Sequence, residues 1–206
     1  MHKSFYVITS VTLLVIAFSY NFLDKKIVYF FHTLNTHQYK ILDHIAEIPS
    51  IILSLVPVLI VYLWLKLALN KVNNIDKVSY IISLALSVSF TIRETLKFVF
   101  GRSWPATFYN NPSLLSDNVY GFHWFSFNYL HKSFPSGHMI TISSMCTVLC
   151  MLYTKTRYLW ISIIIFVGAS QLILYYHFFS DIIAGVYIGA ITGYFTVLYH
   201  LRSRLL

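Results

Sequence analysis

Three short polar clusters interrupt an otherwise apolar chain, and their residue types are those of phosphate chemistry. The last is His177-Phe-Phe-Ser-Asp181, with Ser170-Gln171 just upstream. At a separation of four, His177 and Asp181 occupy neighbouring positions on one face of a continuing helix. A carboxylate beside an imidazole holds the proton on one ring nitrogen and leaves the other as a directed nucleophile or base. A purely structural His–Asp bond at a helix end is equally open, and one His with one Asp is an incomplete metal-ligand set.

The middle cluster, Pro135-Ser136-Gly137-His138, has the form of a helix start. Ser136 is a capping residue, Gly137 lets a ligand approach the backbone, and free N–H groups there attract an anion. His138 falls in the first turn, where it meets whatever binds; the plainer alternative is a helix start with an interfacial His. The first cluster, Lys97-Phe-Val-Phe-Gly-Arg102-Ser-Trp-Pro105, supplies cations. Lys97 alone has the option of snorkelling to an interface. Lys97, Arg102, the helix-end nest, two histidines and one carboxylate together describe phosphoryl transfer. Cations neutralise phosphate oxygens, one His attacks phosphorus and the other protonates the leaving oxygen. No Walker loop or acidic metal cluster is evident, which favours a metal-free phosphohistidine route over a kinase.

The elements that must position these groups are membrane spans. Apolar residues make up 57% of the 206-residue chain and charged residues 11%. Ordinary soluble domains carry about 25% charge, so neither a water-soluble fold nor a disordered chain fits. Six stretches suit the ~20 apolar residues a spanning helix needs. They are Phe5–Leu23, Ile48–Leu69, Val78–Phe100, His138–Tyr153, Tyr158–Tyr176 and Asp181–His200. The first reads as a retained span, because no small-residue cleavage site follows it. Residues 24–47 read as an interfacial amphipathic segment, with Pro49 marking a boundary and Pro57 a kink in the second span. Residues 101–137 form a long loop rich in Gly, Pro and aromatic residues, Tyr109 among them. The expected architecture is all-α: one membrane-embedded domain over residues 1–206, a six-helix bundle with a long external loop.

The net charge of +8 contains no basic run longer than Lys25-Lys26, so nucleic acid is not an expected partner. The partners expected are the lipid bilayer and a lipid phosphate. Lys3, Lys66, Lys71, Lys77, Lys155, Arg157, Arg202 and Arg204 gather in short loops and tails on one side. That bias predicts both termini in the cytoplasm of an inner membrane, with the 101–137 loop outside. Cys146 and Cys150 read as small buried residues of one helix face.

At these clusters the chain resembles the type 2 phosphatidic acid phosphatase superfamily, whose pattern is K-x6-R-P, P-S-G-H and S-R-x5-H-x3-D. Order and intervals match from Lys97 to Asp181, and the six-span layout extends the likeness over nearly the whole chain. The resemblance implies a membrane lipid phosphatase without a cofactor. His177 would be the nucleophile, Asp181 its orienting partner and His138 the general acid, with Ser136, Gly137 and Lys97 on the phosphate. Two departures stand out: Trp104 precedes Pro105, and Gln171 follows Ser170, where the family has phosphate-clamping arginines. Arg102 and Arg93 are candidate replacements, Glu94 is a possible local counter-ion of Arg93, and Gln171 retains hydrogen-bonding capacity. Trp104 either stacks on substrate or anchors the loop, and His123 and His131 are weaker candidates. A lipid phosphotransferase, or a non-catalytic lipid-phosphate binder or transporter, are the alternatives.

Overall fold

A computed structural model of the chain describes residues 2–108 and 110–203, leaving Tyr109 and Arg204 outside the described residues. The fold is helical. In chain order the helices are α1 (His2–Phe22), α2 (Asp24–Thr33), α3 (Lys40–Ala68), α4 (Asn74–Phe100), α5 (Leu114–Asp117), α6 (Gly137–Leu152), α7 (Arg157–Ile173) and α8 (Phe179–Ser203). Single-turn 3-10 helices lie at Thr36–Gln38, Tyr129–His131 and Thr154–Thr156.

Among the described residues, five helices are long and apolar enough to cross a membrane: α1 from Lys3, α3, α4, the segment Thr154–Ile173 ending in α7, and α8. The fourth stretch read as a span is the exception. α6 has 16 residues, a rise of roughly 24 Å against a hydrocarbon core of ~30 Å. It is nevertheless the centre of the bundle, packing against α3, α4, α7 and α8. Met139, Ile140, Ile142, Ser143, Ser144 and Cys146 of α6 are buried, whereas α1 and α3 turn mostly exposed apolar residues outward. That inversion is what a bundle in lipid requires, since its exterior needs no polar cover.

α6 and α8 pack at close range because α8 presents Gly185, Gly189 and Gly193 on one stripe. A Cβ at Gly189 would stand 2.1 Å from Ser143 Oγ and 2.4 Å from the Ile140 carbonyl oxygen. Small residues at such a seam let two helix backbones meet, the usual device inside membranes.

Two expectations for the second span are corrected. α3 begins at Lys40 and runs through both Pro49 and Pro57, so Pro49 is no boundary and residues 40–47 belong to the long helix. The amphipathic element is therefore shorter, comprising α2 and the 3-10 turn behind it. α4 starts from a capping box, in which Asn73 accepts from the Asp76 backbone N–H and Asp76 accepts from that of Asn73. It ends at Gly101, which has a left-handed φ of +49°. The loop that follows is pinned by isolated bridges pairing Arg102 with Phe122 and Trp104 with Ser113. It then enters α6 through a cis Phe134–Pro135 bond.

Candidate active site

Four elements deliver the polar clusters to one end of the bundle. α4 brings Arg93 and Lys97, the start of the loop brings Trp104, the N-terminus of α6 brings Gly137 and His138, and the α7–α8 turn brings His177. Their side chains line a small cavity of about 80 Å³ together with Pro49, Ser50, Leu53 and Thr141. An adjoining cavity of about 440 Å³ shares Lys97, Trp104, His138 and His177 and adds Phe108, Tyr129, Leu130, Lys132 and Tyr176. The inner space is cationic and narrow; the outer one adds aromatic rings, with Lys132 and Asn111 as further polar groups.

The two histidines face each other with ring centroids 6.0 Å apart, inclined at 64°. His177 Nδ1 stands 3.6 Å from Asp181 Oδ2 and 3.5 Å from Ser133 Oγ. No hydrogen bond among the described residues engages His177 Nε2, the ring nitrogen away from the carboxylate. His138 Nε2 lies 2.9 Å from Ser50 Oγ of α3. Ser136 caps α6 by accepting from the Met139 backbone N–H at 3.3 Å, and its own N–H donates to the Asp181 carbonyl at 3.1 Å. Ser136 is thus buried behind the cavity wall, while Gly137 is part of that wall. Lys97 is 9% exposed and forms no ion pair among the described residues. Its Nζ lies 5.6 Å from the centre of the Trp104 ring.

Arg102 lies elsewhere, and its expected place on the phosphate is corrected. It has no exposed surface. One terminal nitrogen donates to Asp181 Oδ1 and, at 2.7 Å, to Ser180 Oγ. The other donates to Asp24 Oδ2 at 2.8 Å and to Tyr120 Oη at 3.0 Å. Phe178, Tyr20, Tyr120 and Phe122 surround the guanidinium, with ring centres 4.2 to 5.2 Å from Cζ. Burial works against its charge, but Asp181 and Asp24 outweigh burial and raise its pKa. Arg102 is the cation behind Asp181.

The two departures from the motif also find places. Gln171 is fully buried, donating to the Ala46 carbonyl of α3 at 3.0 Å, and does not line the cavity. Trp104 does line it, with its ring 5.2 Å from that of His177. It is a wall of the site. His123 and His131 stack on one another with centroids 3.8 Å apart, outside both cavities. Sequence reasoning passed over Asp24, Ser50, Tyr120 and Ser133, which acquire partners only through tertiary contact. Among the described residues, no three His, Cys, Asp or Glu side chains converge on a common point.

A helical membrane bundle thus brings paired histidines and a buried carboxylate together at one end. Residues 76–205 match the model of the PAP2 superfamily, and the chain belongs to that family. It is 30% identical over 115 residues to a lipid A 1-phosphatase of Rhizobium johnstonii, covering 56% of this chain and 45% of the relative. It is 29% identical over 115 residues to a lipid A 1-phosphatase of Rhizobium etli, covering 56% and 47%. The chain thus spans about half the length of the curated relatives it matches. In fold it is similar to the crystal structure of a transmembrane PAP2 type phosphatidylglycerolphosphate phosphatase from Bacillus subtilis. That likeness has a TM-score of 0.52 at 15% identity and covers 94% of this chain and 96% of the other.

Proposed function

We propose that the chain is a membrane-embedded lipid phosphatase. It hydrolyses a phosphomonoester or diphosphate of a lipid through a phosphohistidine intermediate at the external face of the membrane. The observation that carries this reading is the meeting of His138 and His177 across one cavity, with Asp181 behind His177 and Lys97 beside both. Asp181 holds the His177 proton on Nδ1, so Nε2 attacks phosphorus. His138, on the opposite side, protonates the departing lipid oxygen. Lys97 and the α6 N-terminus at Gly137 take the charge on the equatorial oxygens. Water, deprotonated by His138, then releases phosphate from His177.

The domain is residues 1–206, with α6 as a sixth, short spanning element whose N-terminus forms the recessed floor of the site. The charge bias supports an orientation with both termini in the cytoplasm and the site outside. Polyprenyl diphosphate, phosphatidylglycerol phosphate, phosphatidic acid and lipid A phosphate are the substrates to compare. The curated relatives' names favour lipid A phosphate among these, and the aromatic outer cavity suits an amphiphile.

Release of inorganic phosphate by purified protein from that panel tests the proposal. Turnover of at least one lipid, absent in His177→Ala, is expected. No release from any of them between pH 5 and 8 would overturn it.

A further inference from the structure

Arg93 sits one turn before Lys97 on α4, on the same face. The chain brings it to the N-terminus of α6. A Cβ on Gly137 would stand 2.7 Å from Arg93 Cδ, with Arg93 NH1 and Nε at 3.4 and 3.5 Å. With glycine at 137, the Arg93 stem lies directly across the helix end. The small cavity there is lined by Arg93 together with Lys97, Gly137, His138 and His177. Arg93 also has a counter-ion. Glu94 Oε1 accepts from Arg93 Nε at 2.9 Å and lies 2.8 Å from NH2, while Glu94 Oε2 pairs with Lys132 at 3.1 Å. Glu94 thereby ties a cation of the inner cavity to one of the outer cavity.

Two like charges four residues apart on a helix repel. Here both belong to a site whose helix N-terminus adds further positive potential. A dianion between them converts that repulsion into attraction. Neither family arginine position supplies such charge, since Trp104 is a wall and Gln171 is turned to α3, and Arg102 nearby is committed to carboxylates.

We propose that Arg93 is a phosphate-binding residue of this site, and that Glu94 holds it, with Lys132, until an anion takes its place. The kinetic part of the proposal rests on the phosphatase reading; the binding part does not.

The test uses the full-length protein in detergent and two readouts. The first is stabilisation by inorganic phosphate, followed by thermal unfolding. The second is KM against kcat on whichever lipid phosphate the protein hydrolyses. Arg93→Met keeps the stem that packs on Gly137 and removes the charge, and Arg93→Lys keeps the charge without the fork. Loss of a charge-assisted contact predicts phosphate affinity about tenfold or more weaker in Arg93→Met and an intermediate loss in Arg93→Lys. KM is expected to rise more than kcat falls. Glu94→Gln frees Arg93 and Lys132 and is expected to tighten phosphate binding. If Arg93→Met folds and binds phosphate like the parent protein, or if phosphate does not stabilise the parent at all, the inference is overturned. Should Arg93→Met unfold, Arg93→Lys decides: affinity equal to the parent's with Glu94→Gln also without effect overturns it. A protein that binds phosphate through Arg93 yet hydrolyses no lipid would retain this inference and lose the phosphatase reading.

Discussion

Arg102 and Asp181 form an ion pair with no exposed surface on either side chain, and Asp24 closes it from the other side of the guanidinium. The pair divides the work of the Asp181 carboxylate. Oδ1 faces Arg102, while Oδ2 accepts from Ser133 at 2.7 Å and from the Phe178 backbone N–H at 3.2 Å, and faces His177. A carboxylate held at both oxygens cannot swing, and His177 Nδ1 stands 3.6 Å from it. One guanidinium thus links the α1–α2 junction, the long loop and α8 behind His177, outside both cavities.

Arg102→Met leaves Asp24 and Asp181 as buried charges without their cation. Removing one partner of a buried pair costs about 3–5 kcal/mol. A markedly lower unfolding temperature in detergent is expected, with phosphate release lost alongside it. An unchanged unfolding temperature would show that water or rearrangement replaces the guanidinium.

His177→Ala removes the nitrogen proposed to attack phosphorus while taking only one ring from a cavity wall. Turnover is expected to fall by at least about a thousandfold, the scale seen when a covalent nucleophile is deleted. The unfolding temperature should change little. Brief exposure of the parent protein to labelled substrate should trap a phosphoryl group that is labile in acid and stable in base. Label retained by His177→Ala would place the nucleophile elsewhere.

Burial pushes the His177 pKa down. The Asp181 carboxylate partly offsets this, while Lys97 and Arg102 push it further down. A base with a lowered pKa stays neutral to lower pH. Activity that needs neutral His177 therefore persists below about 6.5, the ordinary value for histidine, and fails only on further acidification. Asp181→Asn removes the offsetting carboxylate, so the acid limb of kcat/KM should move lower still as the rate drops. An acid limb above 6.5 would contradict this account.

Trp104 occupies the wall beside His177 and beneath Lys97. Trp104→Arg introduces a guanidinium there and opens the aromatic wall. KM for a simple lipid phosphate such as phosphatidic acid is expected to drop about tenfold, the worth of one charge-assisted hydrogen bond. Discrimination between lipids should narrow with it. Unchanged kinetics across the lipid panel would show that the ring contributes no selectivity.

Much of the site was legible because its groups are local in sequence. His177 and Asp181 share the start of one helix, and Ser136-Gly137-His138 is a capping sequence whose meaning lies in adjacent residues. The cations were legible as types but not as roles. Arg102 and Arg93 are both arginines near the C-terminal end of α4, and nothing in their spacing separates a buried counter-ion from a residue that lines the cavity. The separation is made by Asp24, seventy-eight positions from Arg102, and by Gly137 against Arg93. The boundary placed at Pro49 failed because a long helix in lipid tolerates proline where neighbouring groups meet the freed backbone.

Composition and periodicity determined that the chain is a bundle of apolar helices, since so few charges leave no soluble alternative. The spacing of the three clusters determined that phosphate chemistry was on offer. Which cation faces the cavity and which is committed to Asp181 was decided only by tertiary structure. Charge is a property of the residue, but its availability depends on the carboxylates that reach it, and these come from helices remote in sequence.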